Sequence, residues 1–263
     1  MAATKKEIKN RVAFLEHQTP AYAPFLGVAA ILLIWEFICR MGWVPPLFLP
    51  APTAILAAGW EMISSGELFK DLLASLARIA VGFAIGSVCG IIVGLALGFF
   101  RWVDAILSPI VYSIYPIPKI ALLPLIILWF GIGETPKYAI IALGVFFPVV
   151  INTYSGVKTV DPTLIKAAAS FGSSRLNVVR KVILPGSLPM IFAGLKLSAG
   201  TSLLLLVAAE MIAASQGVGA KILHYGNLML TTKLMAGVLV LSLLGLVFNR
   251  VLAWIERLLI PWK

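Results

Sequence analysis

Charge is what this sequence has least of. Of its 263 residues only 12% are Asp, Glu, Lys or Arg, against 60% hydrophobic, and the mean hydropathy is +1.01. A soluble domain carries about 25% charged residues, so that class is excluded. The two cysteines, Cys39 and Cys89, are too few for a disulfide framework or a Cys-based metal site. The two histidines, His17 and His224, are isolated. No G-x-x-x-x-G-K-[ST] loop is present to cradle a nucleotide, and no H-E-x-x-H or nucleophile elbow to support hydrolysis. The chain thus offers no catalytic residue, metal site or cofactor site of its own, so if ATP drives it, another subunit must hydrolyse that ATP.

What is there in quantity is apolar sequence in long runs. A bilayer-spanning helix needs about 20 such residues. Residues 79–100 and 138–157 contain no charge, and 18–35 form a run nearly as long. Three further runs are interrupted: 105–130 by Lys119, 188–212 by Lys196 and Glu210, and 234–252 by Arg250. The sequence predicts an all-α integral membrane protein of about six transmembrane helices. The first run closes on Trp35-Glu36-Phe37-Ile38-Cys39-Arg40 without a small-x-small cleavage pattern, so it is expected to stay as an anchor.

The net charge of +10 could suggest nucleic acid, but its distribution points to topology. With the N-terminus inside, segments 1–20, 101–104, 158–181 and 250–263 carry 13 Lys and Arg; the outer segments 40–78, 131–137 and 213–233 carry 6. This is the positive-inside asymmetry, and it predicts both termini in the cytoplasm and no nucleic-acid partner. The expected organisation is a cytoplasmic tail over 1–20, a first transmembrane helix over 21–40 and a periplasmic amphipathic segment over 41–77. A core over 78–255 follows, then a cytoplasmic tail over 256–263. Within 41–77, Thr53 is expected to cap a helix over 54–64, which Ser65-Gly66 ends. Leu68, Phe69, Leu72, Leu73 and Leu76 then mark one apolar helical face.

The polar interruption at 161–185, DPTLIKAAASFGSSRLNVVRKVILP, is the most informative stretch. Asp161-Pro162 is a helix-start signal. Gly172 supplies a turn, Ser173 or Ser174 can cap a second helix, and Pro185 is expected to limit that helix. Ala167, Ala168 and Ala169 form a face that another surface can approach closely, and Arg175, Arg180 and Lys181 surround it with positive charge. The run of Ala167, Ala168, Gly172, Val182, Leu184 and Pro185 resembles the EAA loop of ABC-importer permeases. Lys166 stands where the name-giving Glu would be, so a contact made through that carboxylate is not carried over. The resemblance extends to 122–134, 146–153 and 207–219, which are similar to the nitrate/sulfonate/taurine group.

The resemblance implies a type I ABC importer permease fold, N-in and C-in, in a bacterial inner membrane. It implies a coupling loop over 158–187, with Asp161, Lys166, Ala167, Ala168, Gly172, Arg175, Arg180, Lys181, Leu184 and Pro185 facing an ATPase. It also implies a homodimer, two ATPase subunits carrying ATP and Mg, and an extracytoplasmic binding protein delivering a small, anionic solute. A heterocyclic vitamin precursor is the alternative cargo.

Transport needs helices that bend. Span 105–130 has Pro109, Pro116, Pro118 and Pro124, a density that breaks the hydrogen-bond ladder, so the span either lines a cavity or is merely kinked. Gly82, Gly86, Gly90, Gly94 and Gly98 form a ridge at four-residue spacing, read as helix packing. Lys119 and Lys196 are charges at membrane depth, which usually face a wet cavity or a partner. Lys196 can instead snorkel, and Lys119 can bond carbonyls freed by the prolines or pair with an acid. Asn152, Thr153, Ser198, Thr201 and Ser202 either line the path or hold helices together. Glu210 reads as a structural ion pair or hydrogen bond near an outer gate. Two rival functions remain at this level: a secondary transporter driven by an ion gradient, and a scaffold subunit that moves nothing.

Overall fold

The computed structural model describes residues 22–66 and 68–262. The expected tail over 1–20, with His17, lies outside the described residues. The chain folds as α1 (Ala23–Arg40), α2 (Pro52–Ser64), α3 (Phe69–Phe99), α4 (Arg101–Ile114), α5 (Leu123–Phe130), α6 (Thr135–Lys158), α7 (Pro162–Ser170), α8 (Arg175–Val178), α9 (Leu184–Ala213), α10 (Val218–Asn227) and α11 (Thr231–Leu259). A 3₁₀ turn, Lys119–Leu122, precedes α5, and a π turn, Val179–Ile183, joins α8 to α9.

Four helical runs are long and apolar enough to cross a membrane: α3, α6, Arg175–Ala213 and α11. The expected span over 105–130 is two pieces, α4 and the Lys119–Phe130 segment, bent by 89°. The reason lies in the prolines. Pro109 is carried inside α4 and Pro124 sits in the first turn of α5, where a missing N–H is tolerated. Pro116 and Pro118 fall between the pieces and end the ladder. Helix α1 has 18 residues and exposes Phe25, Leu26, Ile31 and Leu33.

Helix α6 is the central element, packed along its length against α3 on one side and α9 on the other. Ile140, Ile141, Val145, Val149 and Val150 on it are fully buried. The glycine ridge of α3 sets the α3–α6 distance. A Cβ at Gly86 would stand 2.5 Å from the Ala142 carbonyl oxygen, and one at Gly94 2.6 Å from Thr153 Cβ. Lipid offers helices little hydrophobic drive to associate, so close backbone approach and the dispersion it brings hold them together. The packing role expected for the ridge is therefore observed.

Two local expectations change. Thr53 does not cap α2; Ala51 is the N-cap and has no side-chain bond. Instead the Glu36 carboxylate of α1 accepts from the Thr53 backbone N–H at 3.1 Å and its hydroxyl at 2.8 Å, supplying the negative charge a helix start favours. The face marked by Leu68, Phe69, Leu72, Leu73 and Leu76 is mostly exposed, with only Leu68 fully buried. In an apolar solvent the leucines face outward, and the buried positions of that turn are Asp71, Ser75 and Arg78. Pro185 does not end the second loop helix. It lies in the first turn of α9, directly after the π turn. Wider i→i+5 bonding there absorbs the donor that proline lacks. Arg175–Ala213 consequently runs as 39 residues. That is roughly 58 Å at about 1.5 Å per residue, against a hydrocarbon core about 30 Å thick, so its first turns project beyond the membrane.

Candidate functional site

The loop between α6 and α9 is built as its sequence implies. Asp161 accepts from the Thr163 backbone N–H at 2.8 Å and caps α7; the same bond holds its carboxyl below the usual carboxylate range. At the other end of α7, Gly172 adopts φ +73°. Its N–H donates to the Ala169 carbonyl at 3.0 Å, and Ser173 N–H donates to the Ala168 carbonyl at 3.2 Å. Those two bonds close a Schellman turn, which explains why the alanines and the glycine stand at that spacing. Ser174, rather than Ser173, caps α8 through the Asn177 N–H. Among the described residues, Lys166, Arg175, Arg180 and Lys181 are exposed without an ion-pair partner. Phe171 is 89% exposed, and Leu164 and Leu176 are exposed beside it. Sequence reasoning did not single out these three apolar side chains, although each lies in a loop otherwise rich in polar residues.

At the break in the span over 105–130 there is a cavity of about 450 Å³, lined by residues 115–120, Gly144, Pro148, Thr201, Leu204 and Leu205. It brings together Pro116, Pro118, Lys119 and Thr201. The Lys119 ammonium donates to the Tyr115 carbonyl and, at 3.3 Å, to that of Ile114. These are the acceptors that a continuing helix would satisfy from positions 119 and 118, and Pro118 has no N–H to give. The ammonium also lies 4.8 Å from the Phe147 ring centroid and 5.2 Å from that of Tyr115. Among the described residues it has no carboxylate partner.

The other candidates lie elsewhere. Lys196 of α9 is ion-paired with Glu256 of α11 and does not line this cavity. Asn152 donates to the Pro148 carbonyl at 2.8 Å and packs against Gly194. Thr153 is fully buried against Gly94. Ser198 bonds the Gly194 carbonyl of its own helix and the Val145 carbonyl of α6, and Ser202 bonds Ala199 within α9. Thr201 alone of that face reaches the cavity.

Glu210 belongs to a buried network at the end of the bundle opposite the loop. Arg78 of α3, 4% exposed, meets Glu134 through two bonds of 2.6 and 2.8 Å. Its remaining nitrogen donates to Glu210 at 2.8 Å and the Gln216 carbonyl at 2.6 Å. The start of α10 is held by the same groups: Gly217 N–H donates to Asp71, Val218 N–H to Ser75 and Gly219 N–H to Glu210. Gly217 is required there, because a Cβ would stand 2.5 Å from the Glu210 carboxyl carbon. Lys137 and Lys221 complete a set of three acids and three cations. Arg78, with Lys137 beside it, pushes the Glu134 carboxyl down to about 2. Sequence reasoning found Glu210 and missed Asp71, Ser75, Arg78 and Glu134.

At the loop end, Asp104 of α4 accepts from Ser108 at 2.6 Å and from the Tyr154 hydroxyl at 3.0 Å, and pairs with Lys158 at 3.3 Å. Tyr154 and Lys158 belong to the last turns of α6.

The model of the family described as binding-protein-dependent transport system inner membrane component matches residues 86–262. The chain is 39% identical to the taurine transport system permease protein TauC of Escherichia coli over 243 residues, covering 90% of this chain and 88% of that one. It is 38% identical to the putative aliphatic sulfonates transport permease protein SsuC of Bacillus subtilis, covering 89% and 85%. A solved inward-facing MetNI methionine ABC transporter shares the fold, with a TM-score of 0.62 at 23% identity over 73% of this chain and 95% of that one. A loop of capped helices, a proline-broken span and these relatives agree: the chain belongs to the inner membrane permease subunits of binding-protein-dependent ABC importers.

Proposed function

We propose that two copies of this chain form the pathway for a small sulfonate-type anion, with the loop over 161–185 receiving the motion of two ATPase subunits. The permease is not an enzyme, and ATP and Mg act on those subunits. The observation that carries the anion reading is Lys119. It is an ammonium at the broken span, facing a cavity, with no carboxylate to neutralise it among the described residues, in a chain whose relatives are named for taurine and aliphatic sulfonates. A cation shielded from bulk water attracts an anion more strongly than the same pair would attract in water, and a twofold pair would present two.

Coupling follows from the loop's construction. Gly172 and its two flanking bonds fix the angle between α7 and α8, so Asp161, Lys166, Ala167, Ala168, Arg175, Arg180, Lys181, Leu184 and Pro185 move as one piece. Phe171, Leu164 and Leu176 supply apolar area to the ATPase surface, and the cations supply attraction. Because Arg175–Ala213 is continuous, a push on α8 enters α9 directly.

The test is uptake of labelled taurine into liposomes containing the complex, binding protein and internal ATP. Wild type is expected to accumulate taurine only with ATP. Lys119→Met should lower uptake about tenfold, the loss of one charge-assisted hydrogen bond, and Lys119→Arg should restore part of it. No ATP-dependent uptake of taurine or of a short alkanesulfonate by wild type overturns the sulfonate reading; unchanged uptake by Lys119→Met overturns the role of that lysine.

A further inference from the structure

We infer that Asp104 is a positioning residue that makes the broken span follow the coupling loop, an inference that rests on the reading of 161–185 as the loop driven by the ATPase. The observation behind it is a mismatch in how the helices are held. Helix α6 is fixed on both flanks, by the α3 ridge and by α9. Helix α4 is not: Val111 is its one buried residue, and Trp102, Ile106 and Ile110 on it are exposed. Yet α4 leads directly into the break at 115–118 and the cavity there. Motion of the loop enters α6 through Lys158, its last residue, and needs a route into α4.

Asp104 supplies that route. Its carboxylate takes the Tyr154 hydroxyl and the Lys158 ammonium, which stand four residues apart and so lie one above the other on α6. Holding two positions one turn apart fixes both the height and the rotation of α4. Ser108 occupies the other carboxylate oxygen and keeps it aimed. Seven residues on, about 10 Å along the helix, Val111 packs against Phe147 and Val150. That contact is a fulcrum, with Asp104 at one end of the lever and the break at the other. Both Lys158 and Asp104 are part-exposed, and such pairs add little to stability. The tie therefore matters for transmission more than for assembly.

The experiment measures taurine taken up per ATP hydrolysed in liposomes, for wild type, Asp104→Ala, Asp104→Asn and the exchanged pair Asp104→Lys/Lys158→Asp. Wild-type uptake with hydrolysis stimulated by loaded binding protein establishes the underlying reading; its absence overturns that reading and this inference with it. With wild type active, Asp104→Ala is expected to assemble, to keep stimulated hydrolysis, and to lose about fivefold or more in taurine per ATP, the low end of coupling between sites. Asp104→Asn keeps the Tyr154 bond and should fall between, and the exchanged pair should regain part of the ratio. An unchanged ratio in Asp104→Ala, or hydrolysis and uptake falling together, overturns the inference.

Discussion

Replacing Arg78 by Met removes the group that bonds both Glu134 and Glu210 in the buried network. The side chain volume is nearly kept, so the loss is electrostatic. Glu210 is fully buried and would retain only the Ser75 hydroxyl and the Gly219 N–H. Breaking a buried pair from one side costs about 3–5 kcal/mol, because the remaining charge is left uncompensated. Glu134 is 46% exposed at its side chain and keeps Lys137, so its share is screened and stays within about 1 kcal/mol. The expected loss is therefore about 3–5 kcal/mol and falls mainly on the Glu210 side. Adding Glu210→Gln to Arg78→Met removes the stranded charge and keeps an acceptor for Gly219, so it should recover at least about half of that loss. The assay is equilibrium unfolding of the purified permease in detergent, read by tryptophan fluorescence, for both single variants and the double. A loss below about 0.5 kcal/mol for Arg78→Met, or a double variant as weak as the sum of the singles, refutes the reasoning.

Gly94→Val puts branched carbon where a Cβ alone would stand 2.6 Å from Thr153 Cβ, and it should lower stability by about 1–3 kcal/mol or more. Gly200→Ala, with nothing within 4 Å, should be neutral or stabilising in the same melt. Glu134 has a folded pKa of about 2 against an ordinary 4.5. Its contribution is complete above pH 4.5 and is lost as pH falls through 2. Melting curves should accordingly show no loss from this group between pH 8 and 5. Glu134→Gln should flatten the decline below that range.

The capped helices of the coupling loop were legible because each signal is local: Asp161 reaches Thr163, Gly172 turns the chain, and Ser174 reaches Asn177. The glycine ridge was equally legible, since a four-residue period needs no partner to be recognised. The outer network was not, because Arg78, Glu134 and Glu210 are brought together from three separate segments. A signal was present nonetheless. Asp71, Ser75 and Arg78 continue the face of Gly82, Gly86 and Gly90, and polar residues in line with a packing ridge are buried rather than solvated. The leucines at 68–76 were legible as one helical face, and most of that face is exposed, as apolar residues facing lipid are. Lys196 looked like a pathway cation because its partner, Glu256, lies sixty residues away. The π turn before Pro185 left no sequence mark, as helix breakers read alike whether they end a helix or open the next.

The most direct test of transmission through 161–185 is ATP hydrolysis by the reconstituted complex carrying Gly172→Pro, with and without loaded binding protein. Proline cannot take the φ of +73° found at this position, so the Schellman turn opens while the helices of the membrane remain intact. The expected result is an assembled complex whose hydrolysis no longer responds to the loaded binding protein. An assembled complex that responds as wild type does would contradict it.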